Sequence, residues 1–273
     1  MKVAIVHDYL NQYGGAERVL EEFVGLFPRA HLYTLLHDSD RTRGKFDTLI
    51  RGTSFLDWKF VRRHHRPFIP FMPLAAASVS LRDRYDLIVS ASAGFAKGVR
   101  HDPRVFHLSY CYTPLRYAWE VDSYFTNPIY RTLLRPAFEY LKRWDWKAAQ
   151  RPNAIVADSE FIRGKIRRYY GREAAVVYPP VDYRKFYHDP RIDRARGYYL
   201  AVGRLLEYKK FDLVLQSFRR LELPLKVVGA GREAKRLTRQ AADIGARNVT
   251  FLPFVTDREL RDLYAGAEAL VFP

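Results

Sequence analysis

The chain has 273 residues, 48% of them hydrophobic and 15% aromatic, so it can bury a sizeable core as one large or two ordinary domains. Its 46 Lys and Arg against 30 Asp and Glu leave a net charge of +16, which favours anionic partners such as nucleic acid, acidic lipid headgroups or phosphorylated substrates. The single cysteine, Cys111, excludes an intramolecular disulfide, the apolar run at the N-terminus is too short for a signal peptide, and no apolar stretch reaches the ~18 residues of a membrane span. The expected location is cytoplasmic, or peripheral on the inner face of a membrane.

Residues 3–6 form an apolar run of buried-strand character, and 7–13 read as a loop. Gly14-Gly15 then opens a helix whose apolar residues Ala16, Val19, Leu20, Phe23, Val24 and Phe27 recur at helical spacing. Two glycines at a helix start allow close backbone approach, either to a phosphate drawn by the free N–H groups or simply within a structural turn. No G-x-G-x-x-G follows the strand. A second strand is expected over 30–35 and a polar loop over 37–45.

Residues 53–72 interleave Phe55, Trp58, Phe60, Phe68 and Phe71 with Arg62, Arg63, His64, His65 and Arg66. Three readings stand: an amphipathic helix with a solvated basic face, a lip docking on an anionic membrane, or an aromatic platform for single-stranded nucleic acid. His64-His65 lacks metal-ligand spacing, and the chain has no His-x-x-x-His or Cys/His cluster.

A strand over 86–89 runs into the small residues Ser90-Ala91-Ser92-Ala93-Gly94. Another, over 105–109, leads into an aromatic block at 110–120 suited to core packing or a cleft wall. A helix is expected over 129–150, kinked at Pro136. A strand over 154–157, an N-cap at Asp158 or Ser159 and a helix over 160–170 follow. The strand over 175–178 ends at Pro179-Pro180, and the polar run beyond it marks a boundary between domains 1–182 and 183–273.

Past that boundary, strands near 198–202, 225–228, 249–252 and 268–272 alternate with helices near 209–221, 232–245 and 256–265. Such alternation means a parallel sheet with right-handed crossovers. Gly229-Ala230-Gly231-Arg232-Glu233-Ala234 fits G-x-G-x-x-A, but the next strand ends in Pro253-Phe254 rather than an acidic residue, which counts against a dinucleotide. Arg204 and Lys209 lie between the first of these strands and its helix. They form either a solvated basic turn or a seat for a diphosphate.

Val202-Gly203-Arg204 followed by Tyr208-Lys209-Lys210-Phe211-Asp212 resembles the donor-site signature of glycosyltransferase family 4, the retaining GT-B enzymes. Tyr13-Gly14-Gly15-Ala16-Glu17-Arg18 resembles that family's N-terminal glycine loop, and Tyr178-Pro179-Pro180-Val181-Asp182 its interdomain strap. The block from Tyr110 to Glu120 resembles a subgroup that includes mannosyltransferases.

The resemblance spans nearly the whole chain and implies an α/β GT-B architecture: two Rossmann-like domains with parallel sheets facing a cleft, the second incomplete. It puts the donor diphosphate on Arg204 and Lys209, faced by Gly14 and Gly15. Gly203, Gly229, Gly231 and Phe254 would line the nucleotide pocket, and Glu17, Arg116, Trp119 and Glu120 the acceptor side. Tyr112 stands where the subgroup usually has a His near the sugar's reactive end; a phenol cannot supply an imidazole, so catalysis there is expected to be weakened.

The implied activity is transfer of a hexose from a nucleotide-sugar, GDP-mannose foremost, to a lipid-linked or polysaccharide acceptor with retention. No metal or other cofactor is implied, the Arg and Lys supplying counter-charge. The family carries a Glu pair after the position of Pro273, so the chain reads as a fragment, expected to be inactive alone. The rivals are a non-catalytic nucleotide-sugar-binding remnant and a basic nucleic-acid-binding protein. Against the latter, the charge is dispersed and no nucleic-acid-binding signature occurs.

Overall fold

The computed structural model describes residues 1–81, 83–124, 128–187 and 197–272. It divides into two compact units, Met1–Pro180 and Val181–Pro273. The polar run expected to join them lies partly outside the described residues, as does Pro273.

The first unit is built on a seven-stranded parallel sheet in the order β3-β2-β1-β4-β5-β6-β7. Its strands are β1 (Val3–Leu10), β2 (His31–His37), β3 (Ile50–Thr53), β4 (Leu87–Ser92), β5 (Phe106–Cys111), β6 (Ala154–Ala157) and β7 (Ala175–Val176). Side chains alternate across β1. Val3 and Ile5 pack with Leu20 and Phe23 of α1 (Gly15–Leu26), while Ala4 and Val6 pack on the opposite face with Met72 and Ala75. The strand does not stop at Val6, where the apolar run ends. His7, Asp8, Tyr9 and Leu10 continue it, their backbone groups paired to β2 and, through His7, to β4.

The short helices α2 (Ser39–Thr42), α5 (Arg116–Trp119) and α6 (Val121–Tyr124) stand among the loops, and the basic-aromatic stretch is not one helix. It breaks into α3 (Lys59–Arg63), a 3-10 turn (Arg66–Phe71) and α4 (Met72–Ser78). Pro67, Pro70 and Pro73 each lack the N–H that a continuous helix would need. The helix expected over 129–150 is likewise two, α7 (Pro128–Leu133) and α8 (Arg135–Ala149), broken just ahead of Pro136. α9 (Glu160–Tyr170) is capped by Ser159, whose Oγ accepts the Ile162 N–H at 3.3 Å.

The second unit carries β8 (Tyr199–Val202), β9 (Leu225–Val228) and β10 (Val249–Leu252) in the order β10-β9-β8, all parallel. The strand expected near 268–272 is reduced to one parallel bridge, Leu200 to Leu270, on the other side of β8. Leu200 N–H donates to the Ala269 carbonyl at 3.0 Å, and Val271 N–H to the Leu200 carbonyl at 2.7 Å.

α10 (Phe211–Leu221) and α11 (Ala234–Asp243) cover one face through Val214, Leu215, Phe218 and Leu237. α12 (Asp257–Ala265) covers the other, with Leu260 and Leu263 on Tyr198, Leu200 and Val228. The direction of winding therefore reverses at β8, as it does at β1 in the first unit. Such reversals open a crevice beyond the carboxyl ends of the strands, where ligands of α/β sheets sit.

Candidate active site

In the first unit the crevice lies past β1 and β4. Asp8, on the face opposite α1, accepts the N–H groups of Ala93 at 2.6 Å, Phe95 at 2.9 Å and Ala96 at 2.5 Å, and the Ser92 hydroxyl at 3.4 Å. One buried carboxylate thus fixes the turn after β4. His7 points the other way, and its Nε2 lies 3.8 Å from Glu17 Oε1. Glu17, three residues into α1, reaches back to accept the Gly14 N–H at 2.7 Å. This is half of a capping box; glycine has no side chain for the other half.

The residues leading into this turn are also tied down. Tyr13 donates its hydroxyl to Glu21 Oε2 at 2.7 Å and accepts from Lys45 Nζ at 2.8 Å. Asn11 Nδ2 donates to the Arg62 carbonyl at 2.9 Å and lies 3.2 Å from His65 Nδ1. Burial first, then Arg66 and Arg41, lower the His65 pKa, so the neutral ring can accept. A Cβ built on Gly15 would meet no atom within 4 Å, so packing does not require glycine there.

Tyr112 follows β5. Its hydroxyl donates to the Ala16 carbonyl at 3.1 Å, and burial, with Tyr110 and Glu17 adding to it, raises the phenol far above its ordinary value. It is a neutral hydrogen-bond donor braced against the start of α1. Beside it, burial pushes the Cys111 thiol up to about 12 and makes it a poor nucleophile. Asp158 stands at the end of β6 with its pKa raised by burial, and its Oδ1 accepts the hydroxyl of Ser159, the cap of α9, at 2.9 Å.

The block after Tyr112 is anchored from beneath. Asp145 of α8, fully buried, accepts from Trp119 Nε1 at 2.8 Å, Tyr170 hydroxyl at 2.7 Å and Leu115 N–H at 3.3 Å, and pairs with buried Lys97 at 2.6 Å. Trp119 also stacks on Tyr169, ring centroids 4.7 Å apart. Glu120 pairs with Lys165. Of the four residues assigned to the acceptor side, Arg116 is exposed, Trp119 and Glu120 are half-buried in these contacts, and Glu17 is buried under the glycine turn.

In the second unit, the loop after β8 is zipped to the loop after β9. Gly203 N–H donates to the Val228 carbonyl, Leu205 N–H to the Ala230 carbonyl and Glu233 N–H to the Leu205 carbonyl, at 2.9, 2.9 and 3.1 Å. A Cβ on Gly229 would lie 1.9 Å from the Gly203 oxygen, and one on Gly231 2.2 Å from the Leu205 oxygen. This loop-to-loop approach accounts for both glycines. Gly203, Arg204 and Lys209 share the turn after β8. Arg204 is exposed, and Lys209 is half-buried with Nζ 4.7 Å from the Phe272 ring centroid. Phe254, on the turn after β10, is 77% exposed.

His7, Asp8, Lys97 and Asp145 did not stand out in the sequence. The signal available for the first two was a polar pair continuing the alternation of an apolar strand. For Asp158 it was an acid beside a serine, at an N-cap that needs only one of the two.

Two parallel α/β units, each with a reversal of strand order, are the architecture of GT-B glycosyltransferases. Residues 13–185 match the Glycosyltransferase Family 4 model and residues 184–273 that of Glycosyl transferases group 1. The chain belongs to glycosyltransferase family 4.

Over 76 residues it is 37% identical to the D-rhamnosyltransferase WbpZ of Pseudomonas aeruginosa, a match covering 28% of this chain. The match spans only 20% of that relative's length. Among solved structures, HepE of Anabaena in complex with UDP and glucose is similar over the whole chain and 74% of its own length, with a TM-score of 0.64 at 15% identity. The lipopolysaccharide outer core galactosyltransferase WaaB has a TM-score of 0.60 at 16% identity, again over the whole chain and 74% of its own length. At these identities the likeness is one of fold.

Proposed function

We propose that this chain serves transfer of a hexose from a nucleoside-diphosphate sugar to a lipid-linked or growing polysaccharide acceptor, with retention at the anomeric carbon. The observation that carries the reading is the basic turn after β8: Arg204 exposed and Lys209 close by, at the reversal of strand order and before α10. An anion there gains the guanidinium fork, the ammonium charge and free N–H groups together. The open space at Gly15 suits the approach of a second anionic group to the start of α1.

GDP-mannose is the donor we favour, from the likeness of residues 110–120 to mannosyltransferases; a rhamnosyl donor is the alternative that the Pseudomonas relative raises. Exposed Trp58, Phe60, Phe71 and Leu74 beside Lys59, Arg63 and Arg66 favour a location on the inner face of an anionic membrane, where a lipid-linked acceptor would be met.

The test is binding measured by calorimetry. GDP or UDP should bind better than the matching nucleoside, and Arg204→Ala and Lys209→Ala should each weaken binding about tenfold, the scale of one hydrogen bond to a charged group. Equal binding of nucleoside and nucleoside diphosphate, or unchanged affinity in both variants, overturns the diphosphate assignment.

A further inference from the structure

The Gly14-Gly15 turn is braced from inside the core by polar groups that the proposed chemistry leaves unused. Alternation along β1 puts His7 on the α1 side, where it meets Glu17. The two side chains are 3% and 2% exposed. Glu17 Oε2 holds the Gly14 N–H at 2.7 Å, while Oε1 faces His7 Nε2 at 3.8 Å. His7 Nδ1 has no hydrogen-bonding partner among the described residues. Tyr112 stands edge-on to the His7 ring, centroids 6.3 Å apart, and its hydroxyl holds the Ala16 carbonyl. Residues 14–16 are therefore gripped from β1, from α1 and from the segment after β5.

A carboxylate so deeply buried persists only with partners. The N-terminal dipole of α1 and the Gly14 N–H serve one oxygen, and the His7 ring stands 3.8 Å from the other. Two consecutive glycines would otherwise sample many backbone conformations. A turn that only joined a strand to a helix would need no such bracing, because the Tyr13, Glu21 and Lys45 contacts already tie it on its outer side.

We propose that Glu17 and His7 are positioning residues: Glu17 sets the Gly14-Gly15 turn to receive an anionic group at the start of α1, and His7 stands against the Glu17 carboxyl from β1 and limits its orientation. This rests on the reading above of Gly15 as a seat for an anionic group of the nucleotide, and makes Glu17 a support of that turn rather than an acceptor contact.

The experiment uses the whole chain labelled with 15N-glycine. The Gly14 amide proton, bonded to a charged oxygen, should resonate downfield of other glycine amides. Glu17→Gln should move it upfield, and His7→Phe, which keeps the ring and removes its nitrogens, should move it part of the way. Signals from Gly203, Gly229 and Gly231 should stay in place and report that the fold is intact. Added GDP or UDP should shift the Gly15 amide in the parent, and in either variant that shift should require about tenfold more ligand.

A Gly14 amide unmoved in Glu17→Gln overturns the proposal, as does a His7→Phe spectrum identical to the parent. If His7→Phe fails to fold, His7→Asn is read in its place. If no nucleoside diphosphate shifts any glycine of the parent, the diphosphate reading fails, and the Gly14 signal alone still decides whether Glu17 and His7 set the turn.

Discussion

Glycine meets opposite demands at three positions of this chain. Gly229 and Gly231 are glycine because another loop's backbone passes where a Cβ would stand, and Gly229 also has φ +150. Gly15 has open space in that direction. Gly229→Ala should therefore destabilise the second unit by about 3 kcal/mol or more, since the intruded atom is backbone and cannot step aside. Gly15→Ala should leave the urea-unfolding midpoint unchanged and impair only donor use. Equal midpoints for the two variants would show that the loops rearrange freely. The glycines themselves were conspicuous in the sequence. What each avoids was not, because the atoms concerned belong to Gly203 and Leu205, on the neighbouring loop.

At the scale of elements, α8 has one polar anchor beside the apolar packing of Leu141 and Trp144. Asp145 gathers Lys97, Trp119, Tyr170 and the Leu115 N–H. Removing one member of a buried ion pair leaves the other charge uncompensated, so Asp145→Ala should cost about 3–5 kcal/mol in urea unfolding. Adding Lys97→Met should recover part of that loss, because no stranded cation remains; a purely additive double variant would deny the coupling.

The helices were legible because Val214, Leu215 and Phe218, or Ile162 and Ile166, recur at helical spacing on buried faces. β1 looks short in the sequence because His7 and Asp8 interrupt its apolar run; the groups that meet them when buried come from α1 and from the turn after β4. β3 is silent in the sequence because Ile-Arg-Gly-Thr carries little pattern and only its ladder to β2 makes it a strand. Of the site, the basic turn at 203–209 was visible as residues, whereas its place at a reversal of strand order needed the sheet.

For the whole molecule, +16 of charge does not act uniformly. Arg62 is spent internally: Nε and NH2 hold the Asp57 carboxylate at 2.7 and 3.0 Å, so it is not part of the basic face. Lys59, Arg63 and Arg66 are exposed beside Trp58, Phe60 and Phe71. Replacing those three basic residues with Glu should abolish co-sedimentation with acidic vesicles at low salt while leaving stability unchanged. Arg62→Glu should instead act on stability, by setting a second carboxylate against Asp57. Undiminished binding of the triple variant, or equal binding to neutral vesicles, would remove the membrane from the account.

β8 has neighbours that lie on either side of it in space but both after it in sequence: β9 on one flank, Leu270 on the other. Synthesis delivers them at different times. The ladder to β9 can close early, while the opposite edge of β8, with the Leu200 N–H and carbonyl, stays bare until residues 269–271 emerge. The crevice beside the basic turn thus waits on residues 269–271 to form. During that interval an unpaired strand edge is a template for wrong partners, so a ribosome stalled between β10 and Leu270 would hold out a chain more prone to aggregate than either shorter or longer ones.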